Sequence, residues 1–280
     1  MDLVLIGAGR VGTAVAALLQ RNGHRILGVA SRTTASAERA GAFLEAPVYG
    51  VTDLPPAECS LLGVPAGALQ ELADKLSADK TEIAVHFAGA VGISPLEAAT
   101  ERGVRVAALH PVQTCPDITS ALELLPGSAW GMTTSPEIAA WARRLITQDL
   151  RGFPIELSQE SRLTWHAAAV TTANGITALL SLGEAMLASL SIDRPADVLG
   201  PLAAGAVATA RSAPNAADML TGPVVRGEAD AIRAHAAAMA HNPELLDAYA
   251  LVTRTILLAA RLSGRIDDSL VASIEEVLQK

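Results

Sequence analysis

Three glycines within the first dozen residues have the spacing that lets a chain hold a phosphate. They stand in Leu3-Val4-Leu5-Ile6-Gly7-Ala8-Gly9-Arg10-Val11-Gly12-Thr13, behind a continuous apolar run and ahead of Val11, Val15, Leu18 and Leu19 at helical spacing. The pattern predicts strand, tight turn, helix. In such a turn Gly7 permits the bend, Gly9 lets backbone approach a pyrophosphate, and Gly12 lets the helix lie close to the strand. The phosphates would rest on the helix N-terminus, at Arg10 and Val11, where unpaired N–H groups and the helix dipole attract an anion.

A dinucleotide site needs a second contact at the end of the next strand, read here as Arg25–Ala30. Versions that take NAD carry an Asp or Glu there, about 20 residues past the glycines, on the ribose 2′-hydroxyl. This chain has Ser31-Arg32-Thr33 instead. A guanidinium flanked by hydroxyls suits a 2′-phosphate, so NADPH is the expected cofactor.

A hydride-transfer site must also orient a substrate and stabilise its developing charge. His110 follows the apolar run Val104–Leu109 and precedes Pro111, which holds it extended. It can polarise a substrate oxygen, line a nicotinamide pocket, or serve as a hydrogen-bonded structural histidine. His166 and Asn174 fall on the polar stripe of a long helix, about 80° apart around its axis and about 12 Å along it. Buried polar groups on such a stripe need partners, which a polar substrate or a neighbouring helix would supply. Thr221-Gly222-Pro223-Val224-Val225-Arg226-Gly227 interrupts the later helices. In that loop Thr221 and Arg226 carry the strong donors, and Arg226 has the fork for a substrate carboxylate. Val64-Pro65 and Gly89 close two further strands where a cofactor would pass. His86 is a weaker candidate, and His235 is expected to be a solvated helix residue.

The elements that would position these groups alternate strand and helix as far as Phe153–Leu157. That alternation predicts a doubly wound parallel sheet of Rossmann type over residues 1–157. Ser135 is read as the N-cap of a helix running to Gln148. From 158 to 280 the strand signals stop, and helices are expected near 159–190, 195–212, 228–241, 243–262 and 267–279, with the first of them buried. The expected fold is α/β followed by an all-helical domain.

Composition supports a folded enzyme-sized chain: 280 residues, 50% hydrophobic and 18% charged. A net charge of −8 argues against nucleic acid as a partner. Cys59 and Cys115 lack metal-ligand spacing, so no metal is expected, and they suit a reducing cytoplasm. No targeting segment is read at the N-terminus. Leu163 to Gly183 lacks charged residues but holds His166, Asn174 and several threonines, a poor membrane span.

Taken together, Gly7-x-Gly9-x-x-Gly12, Val64-Pro65, His86-x-x-Gly89, His110-Pro111-x-Gln113, His166-x-Ala168-Ala169 with Asn174, and Thr221-Gly222-Pro223-x-x-Arg226-Gly227 resemble a bacterial family. It joins a Rossmann-like domain to a C-terminal helical domain whose function long stood unassigned. It is similar to the superfamily of pyrroline-5-carboxylate reductase and 6-phosphogluconate dehydrogenase. Some members act as an alternative ketopantoate reductase, making pantoate with NADPH for pantothenate and coenzyme A. The resemblance implies that Asn174 and the His166 face meet the substrate, that Arg226 helps hold its carboxylate, and that the chain forms a homodimer. Two departures stand out. Ala88 replaces the serine that commonly precedes the glycine, and no lysine lies between Lys80 and Lys280. A proton would then come from histidine, a hydroxyl or water. Other readings are an imine reductase and a dinucleotide-binding regulatory protein without turnover.

Overall fold

A computed structural model describes residues 1–278. The chain runs β1 (Asp2–Ile6), α1 (Arg10–Arg21), β2 (Arg25–Ala30), α2 (Thr34–Leu44), β3 (Ala57–Leu62), α3 (Leu69–Ala73), β4 (Thr81–His86) and α4 (Glu97–Glu101). It continues with β5 (Arg105–Pro111), α5 (Ile118–Leu124), β6 (Ala129–Thr134), α6 (Ala139–Arg144) and β7 (Phe153–Glu156). The helices α7 (Ser161–Ala188), α8 (Pro195–Ser212), α9 (Pro223–Arg226), α10 (Ala229–Ala238), α11 (Pro243–Leu262) and α12 (Asp268–Leu278) follow.

The strands form one sheet in the order β2-β1-β3-β4-β5-β6-β7. Its central strands are buried on both faces because side chains alternate across the pleat. In β1, Leu3 and Leu5 enter one apolar cluster, with Val15 and Leu19 of α1. Val4 and Ile6 enter the other, with Leu62, Leu69 and Leu96.

The expectation of a wholly parallel sheet is corrected at its sixth strand. β6 pairs with β5 antiparallel, from Ala107 opposite Thr134 to Pro111 opposite Trp130. The Val112 N–H donates to the Ala129 carbonyl (2.8 Å), so the end of β5 and the start of β6 lie side by side. The short α5 between them leaves the chain at the same end of the sheet, and the next strand must run back. Ser135 stands at the expected N-cap position, before Pro136, but makes no side-chain cap bond; its hydroxyl accepts from the Val106 N–H (3.1 Å) of β5 instead.

The chain separates into two compact units, Met1–Ala173 and Asn174–Lys280. The sequence boundary at 157/158 follows the last strand. The observed division lies inside α7, whose first turns belong with the sheet. The second unit has its own core of Val224, Ile232, Leu257, Ala260 and Ile274 among α9 to α12. The expectation that the long helix is buried does not hold within this chain. Arg162 is the one buried residue of α7, and α8 has none. Leu163, Ile176, Leu179 and Leu202 are exposed. None of the described helices is long and apolar enough to cross a membrane.

Candidate active site

The glycine turn is built as its spacing predicts. Gly7 has φ +93°, and its N–H donates to the Ala30 carbonyl (2.7 Å), tying the turn to the end of β2. A side chain there would meet Val64 and the Gly63 backbone. Gly12 allows the predicted close approach: a β-carbon on it would come within 2.8 Å of Gly63 Cα and 3.2 Å of Leu5. Gly63, not singled out from the sequence, is therefore the other half of this contact. Gly9 is the N-cap of α1, with no side-chain cap and no acid in the first turn. The leading N–H groups of a helix have no intrahelical acceptor, so this end suits an anion. Val11 packs partly against the core, and Arg10 sends its guanidinium to the Pro116 carbonyl (2.9 Å).

At the end of β2, Ser31 is half-buried while Arg32 and Thr33 are exposed. The Thr33 hydroxyl donates to Ser36 Oγ (2.8 Å), which also accepts from Arg39 (3.0 Å). Arg32 forms no ion pair among the described residues, which leaves its fork available. Pro65 follows Val64 and starts a short 3-10 turn, Ala66–Ala68.

A second cluster gathers around Gly89. His86 closes β4 and is fully buried. Its Nε2 lies 2.8 Å from the Gly92 carbonyl, and its Nδ1 accepts from the Ala88 N–H (3.2 Å). The ring's proton therefore sits on Nε2 and the imidazole is uncharged. Burial pushes its pKa down to about 4, against a weaker opposing effect of the Gly92 bond. His86 is thus a structural histidine that shapes the loop carrying Gly89. Gln159 supports the same loop by accepting from the Ile93 N–H (2.8 Å).

Gly89 is glycine because two rings crowd it. A β-carbon there would lie 2.7 Å from His110 Nε2 and would collide with His166. The His110 and His166 rings meet edge to face, with centroids 5.5 Å apart. His110 lies within β5, opposite Gly131, so the strand extends past the predicted Leu109. Trp165 Nε1 donates to His110 Nδ1 (3.2 Å). Burial first, then the neighbouring His166, Arg162 and His86, push the His110 pKa down to about 4.

Arg162 is the residue that sequence reasoning missed most completely. Although charged, it is fully buried. It donates from Nε to Thr133 Oγ1 (2.9 Å) and from Nη2 to the carbonyls of Gly131 (3.1 Å) and Ala108. Its Nη1 has no hydrogen-bond partner among the described residues. Desolvation lowers its pKa to about 10. The sequence shows an arginine opening a helix and nothing of the carbonyls that receive it. Gln113 is exposed and donates from Nε2 to the Leu124 carbonyl (3.2 Å).

Asn174 and Thr221 are exposed in the second unit. Arg226 is exposed there and holds Glu228 in a two-pronged ion pair (2.6 and 3.0 Å). His235 is exposed, as expected, and its Nδ1 lies 3.0 Å from the Tyr249 hydroxyl. Among the described residues no group of three or more His, Cys, Asp or Glu is arranged to hold a metal.

With this geometry in place, comparison with known proteins is informative. Residues 1–111 match a Rossmann-like domain, and residues 128–256 match a domain of unknown function, DUF2520. Together the two matched segments account for most of the chain. A solved structure described as a candidate NADP oxidoreductase, BF3122 of Bacteroides fragilis, is 27% identical, with TM-score 0.77 over 91% of this chain and 97% of that one. The fold is shared with a pyrroline-5-carboxylate reductase of Coxiella burnetii (16% identity, TM-score 0.57, 91% and 97% covered). It is shared as well with an imine reductase of Myxococcus stipitatus, solved with NADP+ (17% identity, TM-score 0.61, 100% of both chains covered). No curated protein matches the chain.

Proposed function

We propose that this protein is an NADPH-dependent reductase of a small, carboxylate-bearing carbonyl compound, with 2-dehydropantoate as the leading substrate. The observation that carries the reading is the uncapped glycine turn at the start of α1, beside an exposed Arg32 at the end of β2. Gly9 would let a diphosphate approach, in a turn that Gly7 permits and beside a helix that Gly12 lets pack close, with the backbone N–H groups of Arg10 and Val11 as its donors. Ser31, Arg32 and Thr33 would take the 2′-phosphate. Val64, Pro65 and Gly89 would border the rest of the dinucleotide. When bound, NADPH supplies hydride.

His110 and His166 stand together by Gly89 and are the side chains proposed to meet the reacting atoms. The resemblance adds Asn174 as a substrate contact and Arg226 as the carboxylate clamp, and the hydroxyl of Thr221, in the same loop as Arg226, is a further candidate donor. The bond Arg226 makes to Glu228 is of the same chemical kind as the one it would offer a substrate carboxylate.

An imine substrate is the second reading, favoured by the fold shared with an imine reductase. The test is steady-state NADPH oxidation across a panel of 2-keto acids and cyclic imino acids. Turnover of 2-dehydropantoate above background supports the first reading, and turnover of imino acids alone supports the second. Binding of NADPH with no turnover of either class points to a regulatory dinucleotide-binding protein.

The protein is further proposed to be a cytoplasmic homodimer. The apolar groove formed by Ile176, Leu179 and Leu180 with Leu199, Leu202 and Val207 faces solvent in the single chain, and an exposed apolar surface of this kind calls for a cover. Sedimentation of the purified protein as a monomer would overturn the dimer.

A further inference from the structure

The contact between Trp165 and His110 has a consequence for the kind of substrate the site accepts. An indole N–H donates and has no lone pair to accept with, so the His110 Nδ1 it touches must be the bare nitrogen. The remaining ring proton then lies on Nε2. That nitrogen faces Gly89, where an added β-carbon would come within 2.7 Å of it, and it has no acceptor among the described residues. His166 stands edge-on to the same ring. The buried guanidinium of Arg162 and the buried ring of His86 also act on it, and no carboxylate is among the charges that do. The ring therefore presents one uncharged N–H donor.

We propose that Trp165 is a positioning residue that holds His110 with its proton on Nε2, so that the site prefers an acceptor atom, a carbonyl oxygen, over a protonated iminium nitrogen. A carbonyl oxygen accepts the Nε2–H bond, and that bond strengthens as negative charge develops on the oxygen. A protonated iminium brings its own N–H to the same point and sets donor against donor. This role for Trp165 rests on the reductase reading above and separates its two substrate classes. It gives His110 the part of a hydrogen-bond donor, and the proton that completes the product hydroxyl comes from water.

The test has one readout independent of turnover. In protein labelled with 15N-histidine, long-range proton–nitrogen spectra identify which ring nitrogen of His110 carries hydrogen, with His110→Asn assigning the resonances. The wild-type ring is expected in the neutral Nε2–H form throughout about pH 6 to 8, a span in which an unperturbed histidine (pKa about 6.5) would take up a proton at the lower end. Trp165→Phe keeps an aromatic ring and deletes the N–H. It should give a mixture of tautomers and lower the ratio of keto-acid to imino-acid kcat/KM by about tenfold, the scale of one lost hydrogen bond. An Nδ1–H ring in the wild type overturns the proposal without any variant. A Trp165→Phe protein that binds NADPH yet keeps both tautomer and ratio overturns it as well. Absence of turnover with both substrate classes rejects the reductase reading instead, and the tautomer result still decides the role of Trp165.

Discussion

His86 Nε2 lies 2.8 Å from the Gly92 carbonyl, and this bond fastens the end of β4 to the loop that carries Gly89. The ring has no exposed surface, so both of its nitrogens must be satisfied from within the protein. The Ala88 N–H and the Gly92 carbonyl do so. The loop's path beneath His110 and His166 follows from that pair of bonds.

Replacing His86 with leucine should therefore cost stability through the two backbone groups it leaves without a partner, about 1–3 kcal/mol each. Urea unfolding followed by circular dichroism measures the loss. A variant as stable as the wild type would mean that the loop is held by other contacts.

The same rings make stability depend on pH. His86 and His110 have pKa values near 4 in the folded chain, against about 6.5 for an unperturbed histidine. Both are neutral in either state above pH about 6.5, and their full contribution is present there. As pH falls from 6.5 towards 4, the unfolded chain binds protons that the folded chain refuses, so stability drops. The slope approaches ~1.4 kcal/mol per pH unit for each ring. Thermal unfolding at a series of pH values should show Tm falling across that window. The His86→Leu variant should lose part of this slope. A Tm independent of pH between 6.5 and 4.5 would contradict the buried neutral assignment.

Much of this was legible in the sequence, and the reasons differ by residue. The glycine turn and the alternating strands are local patterns, so β1, α1, β2 and their spacing could be read directly. The direction of β6 depends on where the short α5 leaves the chain, and Asp117, which caps α5 by accepting from the Ser120 N–H (2.8 Å), gave too brief a signal. Ser135 before Pro136 marked the N-cap position correctly, but the sequence could not show that its hydroxyl bonds the distant Val106 N–H. His110 and Gly89 were singled out by type and position. Trp165 and Gly63 were not, since their roles exist only through partners 55 and 56 residues away, His110 and Gly7.

Arg162 offers a third prediction. Its guanidinium is buried and donates to two carbonyls and one hydroxyl. Methionine at this position would fill similar space and strand those acceptors, so Arg162→Met should destabilise by about 2–3 kcal/mol. It should also raise the pKa of His110, since the nearby positive charge is one of the causes that lower it. Denaturation and a histidine NMR titration check the two effects separately. Lysine should not restore the wild type, because a point charge cannot reach acceptors laid out for a planar fork.

The central claim is that the opening glycines and Arg32 hold NADPH, and calorimetric titration of the purified protein tests it most directly. NADPH should bind at least about tenfold more tightly than NADH, the scale of one charge-assisted contact, and Arg32→Ala should remove that preference while leaving NADH affinity unchanged. Equal affinity for the two nucleotides, or no association with either, would contradict the account.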